Sequence, residues 1–156
     1  MHDPHTRAEF PVKHAILETR RRVGATTSAA MRRAVYPQTR AARDAFFASR
    51  PDPRCELSDQ PIVPSYTDVD HYPVSFAEIA EAWVDSRDAE PQIIEQESRW
   101  DPEKTEWVVT NAAEKREWAE FHRARAEYRI LDRQVHRDHS KAEQLRKNAE
   151  AAAGGR

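Results

Sequence analysis

Glycine is scarce in this chain of 156 residues, which has only three, two of them in the terminal run Ala-Ala-Ala-Gly-Gly-Arg. Phosphate-binding loops and dinucleotide-binding turns need several glycines, because the backbone there must approach a phosphate closely. Neither a P-loop nor a dinucleotide motif is present. The scarcity of glycine therefore argues against a site built on a glycine-rich phosphate loop.

Cysteine and long apolar runs are equally scarce. Cys55 is the only cysteine, which excludes an intramolecular disulfide and a cysteine-rich structural zinc site, so we expect no structural zinc. Buried packing is the more common role for such a lone cysteine. No run of 18 apolar residues and no signal peptide occurs, so the sequence predicts a soluble, cytoplasmic protein without a membrane partner.

Charge is segregated along the chain, although the net charge is only −2. Residues 1–50 carry ten Lys or Arg against four Asp or Glu, residues 51–111 carry four against fifteen, and residues 112–156 carry eleven against eight. Basic segments on both sides of an acidic middle favour contacts with phosphates. Solvated helix faces remain the alternative. The nucleic-acid-binding candidates are Arg20, Arg21, Arg22, Arg32 and Arg33.

The pattern predicts an α+β protein that is mainly helical, with a small core. Residues 1–50 indicate a basic helical extension that Pro37 should kink or split, and that Thr26, Thr27 or Ser28 should cap. A domain at 51–145 follows, with an acidic insertion at about 85–111 that is either a hairpin or a tethered loop. Residues 146–156 are typical of a flexible tail.

Within that domain, Ser75 and Asn111 are predicted helix caps. Cys55-Glu56-Leu57 and residues 67–71 read as extended segments. Tyr128 to Leu131 forms either a strand or part of a helix that continues to about residue 150. In the latter case the protein would be a wholly helical interaction protein.

The run Asp68-Val69-Asp70-His71-Tyr72-Pro73-Val74-Ser75-Phe76 carries most of the functional information. It places two carboxylates and an imidazole within four residues at the end of a strand. Metal-assisted phosphodiester hydrolysis needs a carboxylate for a cation beside a nitrogen that can take a proton from water. The alternative is that Asp70 and His71 only hydrogen-bond the local backbone before a proline turn.

Together with the earlier Cys-x-Leu-Ser, the later Trp-x-x-Phe-His and the late His-x-x-His-Ser-Lys, this run resembles the HNH endonuclease family, and residues 127–136 are similar to the family's closing segment. The likeness covers roughly Arg54 to Lys141, with a long insertion, and the run itself is similar to the nuclease domain of RNA-guided CRISPR effectors. It implies a ββα-metal fold, in which a β-hairpin and a helix clamp one divalent cation. The chain departs from the family pattern by having Asp59 for glycine, Glu127 for asparagine, and no zinc-knuckle cysteines.

The resemblance implies roles for individual residues. Asp70 matches the metal-binding carboxylate, His71 the general base and His136 the second metal ligand. Lys141 would contact a phosphate oxygen or the leaving strand. A carboxylate and an imidazole that leave most positions to water suit Mg²⁺, or Mn²⁺ in its place. Further candidates for the site are Asp68, His122, Asp132 and His139, of which Asp132 and His139 would share a helix face with His136.

Two functions remain open on this reading. The first is an HNH-type nuclease that cuts or nicks DNA with Mg²⁺, acting alone, as a homodimer or inside a larger defence or phage complex. The second is a catalytically degenerate HNH-like protein that binds or assembles with nucleic acid or a protein partner. The missing asparagine and cysteines favour the second, and the extended motif favours the first.

Overall fold

The structure is a computed structural model that describes residues 23–87 and 89–155. In order, these residues form α1 (Ala25–Ser49), a 3₁₀ turn (Pro64–Tyr66), β1 (Thr67–His71), α2 (Phe76–Arg87), β2 (Ile93–Glu97), β3 (Thr105–Val109), α3 (Ala112–Arg125), β4 (Tyr128–Asp132) and α4 (Arg133–Gly154). The prediction of a mixed α+β protein that is mainly helical is confirmed. The interpretation as a wholly helical protein is wrong, because a strand interrupts the segment between α3 and α4.

Helices α2 and α3 begin at the predicted caps. The Ser75 hydroxyl accepts a hydrogen bond from the Glu78 backbone N–H at 3.2 Å, and the Glu78 carboxylate accepts one from the Ser75 N–H at 2.9 Å. This reciprocal pair is a capping box. The Asn111 side chain accepts from the N–H groups of Ala113 and Glu114 at 2.9 and 3.1 Å. Both caps satisfy amides that lack partners within the helix.

Helix α1 differs from its prediction at two points. It begins at Ala25, with Gly24 at the N-cap position, so the predicted hydroxyl caps are not used. It also runs unbroken through Pro37. Pro37 is exposed, so the carbonyl one turn earlier, which loses its amide donor, can face water. Buried contacts along the helix (Thr27, Ala30, Met31, Val35 and Phe46) hold both halves on the same core.

Two antiparallel strand pairs decide between the alternatives that the sequence leaves for two segments. Strands β2 and β3 pair with each other in the register Ile93 to Val109, so the acidic insertion is a hairpin. Strands β1 and β4, which are far apart in sequence, pair in a register that sets Asp70 opposite Arg129 and His71 opposite Tyr128. Because β4 leads directly into α4, strands β1 and β4 and helix α4 form one structural unit.

The segment before β1 does not form the predicted strand. Arg54 and Pro61 make a single bridge around a turn. Glu56 instead bonds to the backbone of β4, donating from its N–H to the Ile130 carbonyl at 3.0 Å and accepting at its carboxylate from the Ile130 N–H at 2.6 Å. Cys55 is buried as expected, and its sulfur accepts from the Asp132 N–H at 3.3 Å.

The core consists of two apolar clusters, and α1 contributes to both. Trp118 is fully buried in the first cluster and donates its indole N–H to the Met31 carbonyl at 2.9 Å, which ties α3 to α1. The first cluster contains Met31, Val35, Phe76, Ile79, Ala80, Trp83, Val84 and Trp118, and the second Phe46, Cys55, Ile62, Ile130 and Leu131. Among the described residues, no helix is both long and apolar enough to span a membrane.

Candidate active site

Strand β1 and the first turn of α4 bring the motif residues together. Asp68 and Asp70 are two apart on β1 and therefore lie on the same face of the strand. His136 lies on the first turn of α4, which starts at Arg133 immediately after β4. Asp132 is the N-cap of this helix and accepts from the N–H groups of Gln134 and Val135 at 2.8 and 3.1 Å. Its carboxylate thus fixes where α4 begins.

His136 lies between the two carboxylates. Its Nδ1 is 3.0 Å from Asp68 Oδ2, and its Nε2 is 3.4 Å from Asp70 Oδ1. Arg129 Nε is 2.7 Å from the other oxygen of Asp70, and Arg133 Nε is 3.2 Å from the other oxygen of Asp68. Two carboxylates, two guanidiniums and one imidazole therefore form a connected cluster across β1, β4 and α4.

The pKa values of this cluster follow from these contacts. Burial alone would raise the pKa of Asp70, but hydrogen bonds from His136 and Arg129 outweigh burial and hold that pKa below its usual range. The hydrogen bond to Asp70, helped by the one to Asp68, raises the pKa of His136 against the effect of burial. The carboxylate of Asp70 is thus ionised at neutral pH, with a proton donor held beside it.

His71 points away from this cluster, into a chain of buried polar groups. Its Nε2 is 2.9 Å from Nε2 of His122, which is fully buried in α3. Nδ1 of His122 is 2.8 Å from Oε1 of the Gln38 side-chain amide, on α1. The Gln38 amide nitrogen donates to the Ala119 carbonyl at 2.8 Å, which fixes the orientation of the amide.

These contacts assign the protons. Since the Gln38 oxygen is an acceptor, Nδ1 of His122 carries the hydrogen and its Nε2 holds a lone pair. His71 must then donate from Nε2, which leaves its Nδ1 unprotonated. Burial, together with the charges of His122 and Arg32, lowers the pKa of His71 to about 4 against the opposing charge of Asp70. Burial likewise lowers the pKa of His122 to about 4. Both rings are neutral at pH 7.

A cleft of about 360 Å³ lies between α1 and the edge of β1 that does not pair with β4. Asp68, His71 and His136 line it, whereas Asp70 does not line it and contacts His136. The other charged side chains that line the cleft are cationic. Among the described residues, Asp68 is the only carboxylate that lines the cleft, whereas four arginines line it: Arg32, Arg40, Arg43 and Arg133. The Arg32 guanidinium lies 4.0 Å from the centre of the Phe76 ring, which also lines the cleft. An anionic group fits this environment.

The donor set fits a hard divalent cation with few protein ligands. No group of three or more His, Cys, Asp or Glu side chains that could hold a metal occurs among residues 23–87 and 89–155. Asp70 and His136 offer two ligand atoms, and Asp68 accepts from His136 Nδ1, which would orient the ring for a metal at Nε2. Two protein ligands with the remaining positions open suit Mg²⁺.

The structure does not bring every predicted residue to the cleft. His139 faces Glu143, with its Nε2 3.9 Å from the carboxylate, and Lys141 is exposed on α4; neither lines the cleft. Arg33 lies on the other side of α1 and pairs with Glu106 at 3.0 Å. The remaining candidates, Arg20, Arg21 and Arg22, lie outside the described residues.

Five residues of the site are absent from the sequence-based candidates: Gln38, Arg40, Arg43, Arg129 and Arg133. Arg129 has a partial signal in the sequence, because opposite charges favour cross-strand pairing and Arg129 is the one basic residue in residues 128–132. The three residues on α1 have no such signal, since only the packing of α1 against β1 and α3 brings them to the cleft.

No protein-family model matches the chain, and comparison with curated proteins and with solved structures found no match.

Proposed function

We propose that this protein is a metal-dependent nuclease that hydrolyses phosphodiester bonds in DNA, with β1, β4 and α4 acting as a ββα-metal unit. The observation that carries the proposal is the shared cleft. An imidazole with an unprotonated nitrogen (His71), the His136 ring that lies against Asp70, and four arginines all border the same space. Base, metal ligand and phosphate-binding cations are thus gathered around one anion-sized site.

His71 acts as the general base in this proposal. Its Nδ1 takes the proton from the attacking water, and the imidazolium that forms is stabilised by the neighbouring carboxylate of Asp70. His122 and Gln38 hold the reactive tautomer, because His122 Nε2 accepts the other ring hydrogen of His71. The burial that keeps His71 neutral also makes it a weak base, so the negative charge of a bound phosphate is needed to strengthen it.

Asp70 and His136 would hold the cation, with Asp68 orienting His136 through Nδ1. When bound, a divalent cation neutralises charge that develops on the phosphate and the leaving oxygen. The arginines on α1 and α4 keep the phosphodiester in the cleft and contribute to affinity through counterion release. Arg129 keeps Asp70 ionised and fixed on the strand.

A second function has specific support, namely binding of nucleic acid or a protein partner by a catalytically degenerate site. Arg129 and Arg133 already pair with one oxygen of each carboxylate, and His136 lies against the other two. A cation must displace the proton on His136 and compete with two guanidiniums. If it cannot, the same cluster is a set of ion pairs that ties α4 to the two strands.

Plasmid nicking tests the proposal. The purified protein with Mg²⁺ or Mn²⁺ should convert supercoiled plasmid to nicked circles, and both EDTA and His71→Ala should abolish the reaction. His139→Ala is the matched control, because this histidine also lies on α4 but not in the cleft; it should cleave normally. Absence of cleavage by wild type on supercoiled, linear and single-stranded DNA would reject the nuclease in favour of the binding function.

A further inference from the structure

A second groove of about 640 Å³ lies on the other side of α1, against the β2–β3 hairpin. Its cations come from three elements: Arg33 and Arg40 from α1, Arg99 from the hairpin loop and Lys115 from α3. Within the part of the chain that the structure describes, Glu106 is the only carboxylate that lines it, and this residue is already paired with Arg33 at 3.0 Å. The groove is therefore positively charged.

This charge is unexpected from the sequence, because the hairpin belongs to the acidic middle of the chain. The remaining carboxylates of the hairpin (Glu95, Glu97, Asp101 and Glu103) do not line the groove. The fold thus turns most of the acidic side chains of this segment away from the groove, and arginine and lysine side chains line the groove instead. A polyanion can lie here without meeting the acidic side of the hairpin.

The groove adjoins the active-site cleft, because the two spaces share lining residues. Tyr36 and Arg40, on the exposed side of α1, line both spaces. A bound polyanion that leaves the cleft over this part of α1 would reach the groove directly. The connection lies beside an aromatic ring and a guanidinium, which are the groups that bind bases and phosphates in single strands.

Trp100 supplies an aromatic face at the far side of the groove. It is 72% exposed, which makes it the most exposed of the large hydrophobic side chains in the described residues. The Arg33 guanidinium lies 5.7 Å from the centre of the Trp100 ring and 5.9 Å from that of Tyr36, so it lies between the two aromatic residues. Aromatic rings interleaved with cations suit stacked bases and their phosphates.

We propose that this groove binds an unpaired nucleic-acid strand that runs on from the active-site cleft, with one base stacked on Trp100. The inference rests on the proposed function, since it takes the cleft as the place of the scissile phosphate. An unpaired strand is favoured over a duplex because bases inside a duplex offer their edges, whereas Trp100 needs an exposed base face. The excess of cations favours nucleic acid over an apolar peptide.

Tryptophan fluorescence tests this directly. Trp83 and Trp118 are buried and Trp107 is partly buried, so a quencher that stacks on protein from solvent acts mainly on Trp100. The experiment uses the full chain carrying His71→Ala, with EDTA present, titrated with oligothymidylate or with a blunt duplex of equal length. Cleavage then plays no part in the readout.

Oligothymidylate should quench the fluorescence and bind more tightly than the duplex. Adding Trp100→Leu should remove the quenching and, measured by anisotropy of a labelled oligonucleotide, weaken binding roughly tenfold. Trp100→Phe should retain most of the affinity, because it keeps a ring. Lys147→Gln, an exposed cation on α4 outside both spaces, is the charge control and should bind as the parent does.

Unchanged oligonucleotide affinity in Trp100→Leu, or tighter binding of the duplex, would overturn the inference. Absence of binding to every oligonucleotide would also overturn it and would point to a protein partner for the groove. The two proposals fail separately. A wild type that binds single strands through Trp100 but never nicks refutes only the nuclease, whereas a nicking enzyme indifferent to Trp100 refutes only the groove.

Discussion

His71 and His122 share one hydrogen bond between their Nε2 atoms, which are 2.9 Å apart. Two imidazoles can share such a bond only when exactly one of the two Nε2 atoms carries a hydrogen. The two rings therefore cannot both be imidazolium cations in this arrangement. The Gln38 amide decides which nitrogen carries the hydrogen, because its oxygen accepts from His122 Nδ1. A residue on α1 thereby sets the tautomer of the candidate base on β1.

The first prediction concerns His122 as a positioning residue. His122→Leu should lower kcat for plasmid nicking by roughly tenfold to a hundredfold with little change in KM, because His71 loses the acceptor that holds its tautomer. His122→Gln should restore much of kcat, since its side-chain oxygen can accept the same hydrogen. Steady-state nicking rates over a range of plasmid concentrations separate the two constants. Full activity in His122→Leu would show that His71 needs no partner.

A second prediction follows from the lowered pKa values of this pair. The pKa of His122 is about 4 in the folded protein and about 6.5 in the unfolded chain, so below pH 6.5 the unfolded state binds more protons. Stability should therefore fall between about pH 6.5 and 4. For His122 the loss is at most about 3 kcal/mol.

Urea unfolding at a series of pH values measures this loss, and His122→Gln should reduce it. Two other groups titrate outside the window. The raised pKa of His136 adds stability that is lost as pH rises above 6.5, and the lowered pKa of Asp70 acts only below about 3.8. A free energy of unfolding that stays flat from pH 6.5 to 4 would contradict the buried neutral pair.

Much of the site was predictable because its parts lie in one short motif. Strand alternation places Asp68 and Asp70 on one face, and the resemblance of the closing segment indicates that His136 meets them. The contact between His71 and His122 was not predictable, since they are 51 residues apart and are brought together because α3 and β1 both pack against α1. The cationic lining of the cleft depends on the unbroken course of α1 through Pro37, whereas Pro37 suggested a kinked or divided helix.

The third prediction separates two roles for Asp132. The sequence allows it to be a metal ligand on one helix face with His136 and His139, but in the structure its carboxylate caps α4. Asp132→Ala should cost about 1 kcal/mol of stability through loss of the cap. Asp132→Ser, which can still cap, should recover most of it while leaving Mn²⁺ affinity unchanged. Loss of metal affinity in Asp132→Ser would reassign this residue as a ligand.

The last prediction distinguishes the two carboxylates of β1. If Asp70 is a ligand and Asp68 only orients His136, Asp70→Asn should abolish Mn²⁺ binding measured by isothermal titration calorimetry. Asp68→Asn should weaken Mn²⁺ binding by roughly tenfold to a hundredfold, as is typical of residues that hydrogen-bond and orient a metal ligand. The different partners of the two residues sharpen the test, since Asp70→Asn leaves Arg129 unpaired and Asp68→Asn leaves Arg133 unpaired.

Because either change can disturb the ion pairs alone, each variant needs its double with the matching arginine, Asp70→Asn with Arg129→Gln and Asp68→Asn with Arg133→Gln. If the lost charge balance were the cause, the doubles would regain binding. If ligation is the cause, Asp70→Asn stays without metal in both backgrounds. Equal losses for the two carboxylates would mean that both hold the cation, and that His136 Nδ1 turns away from Asp68 when it binds.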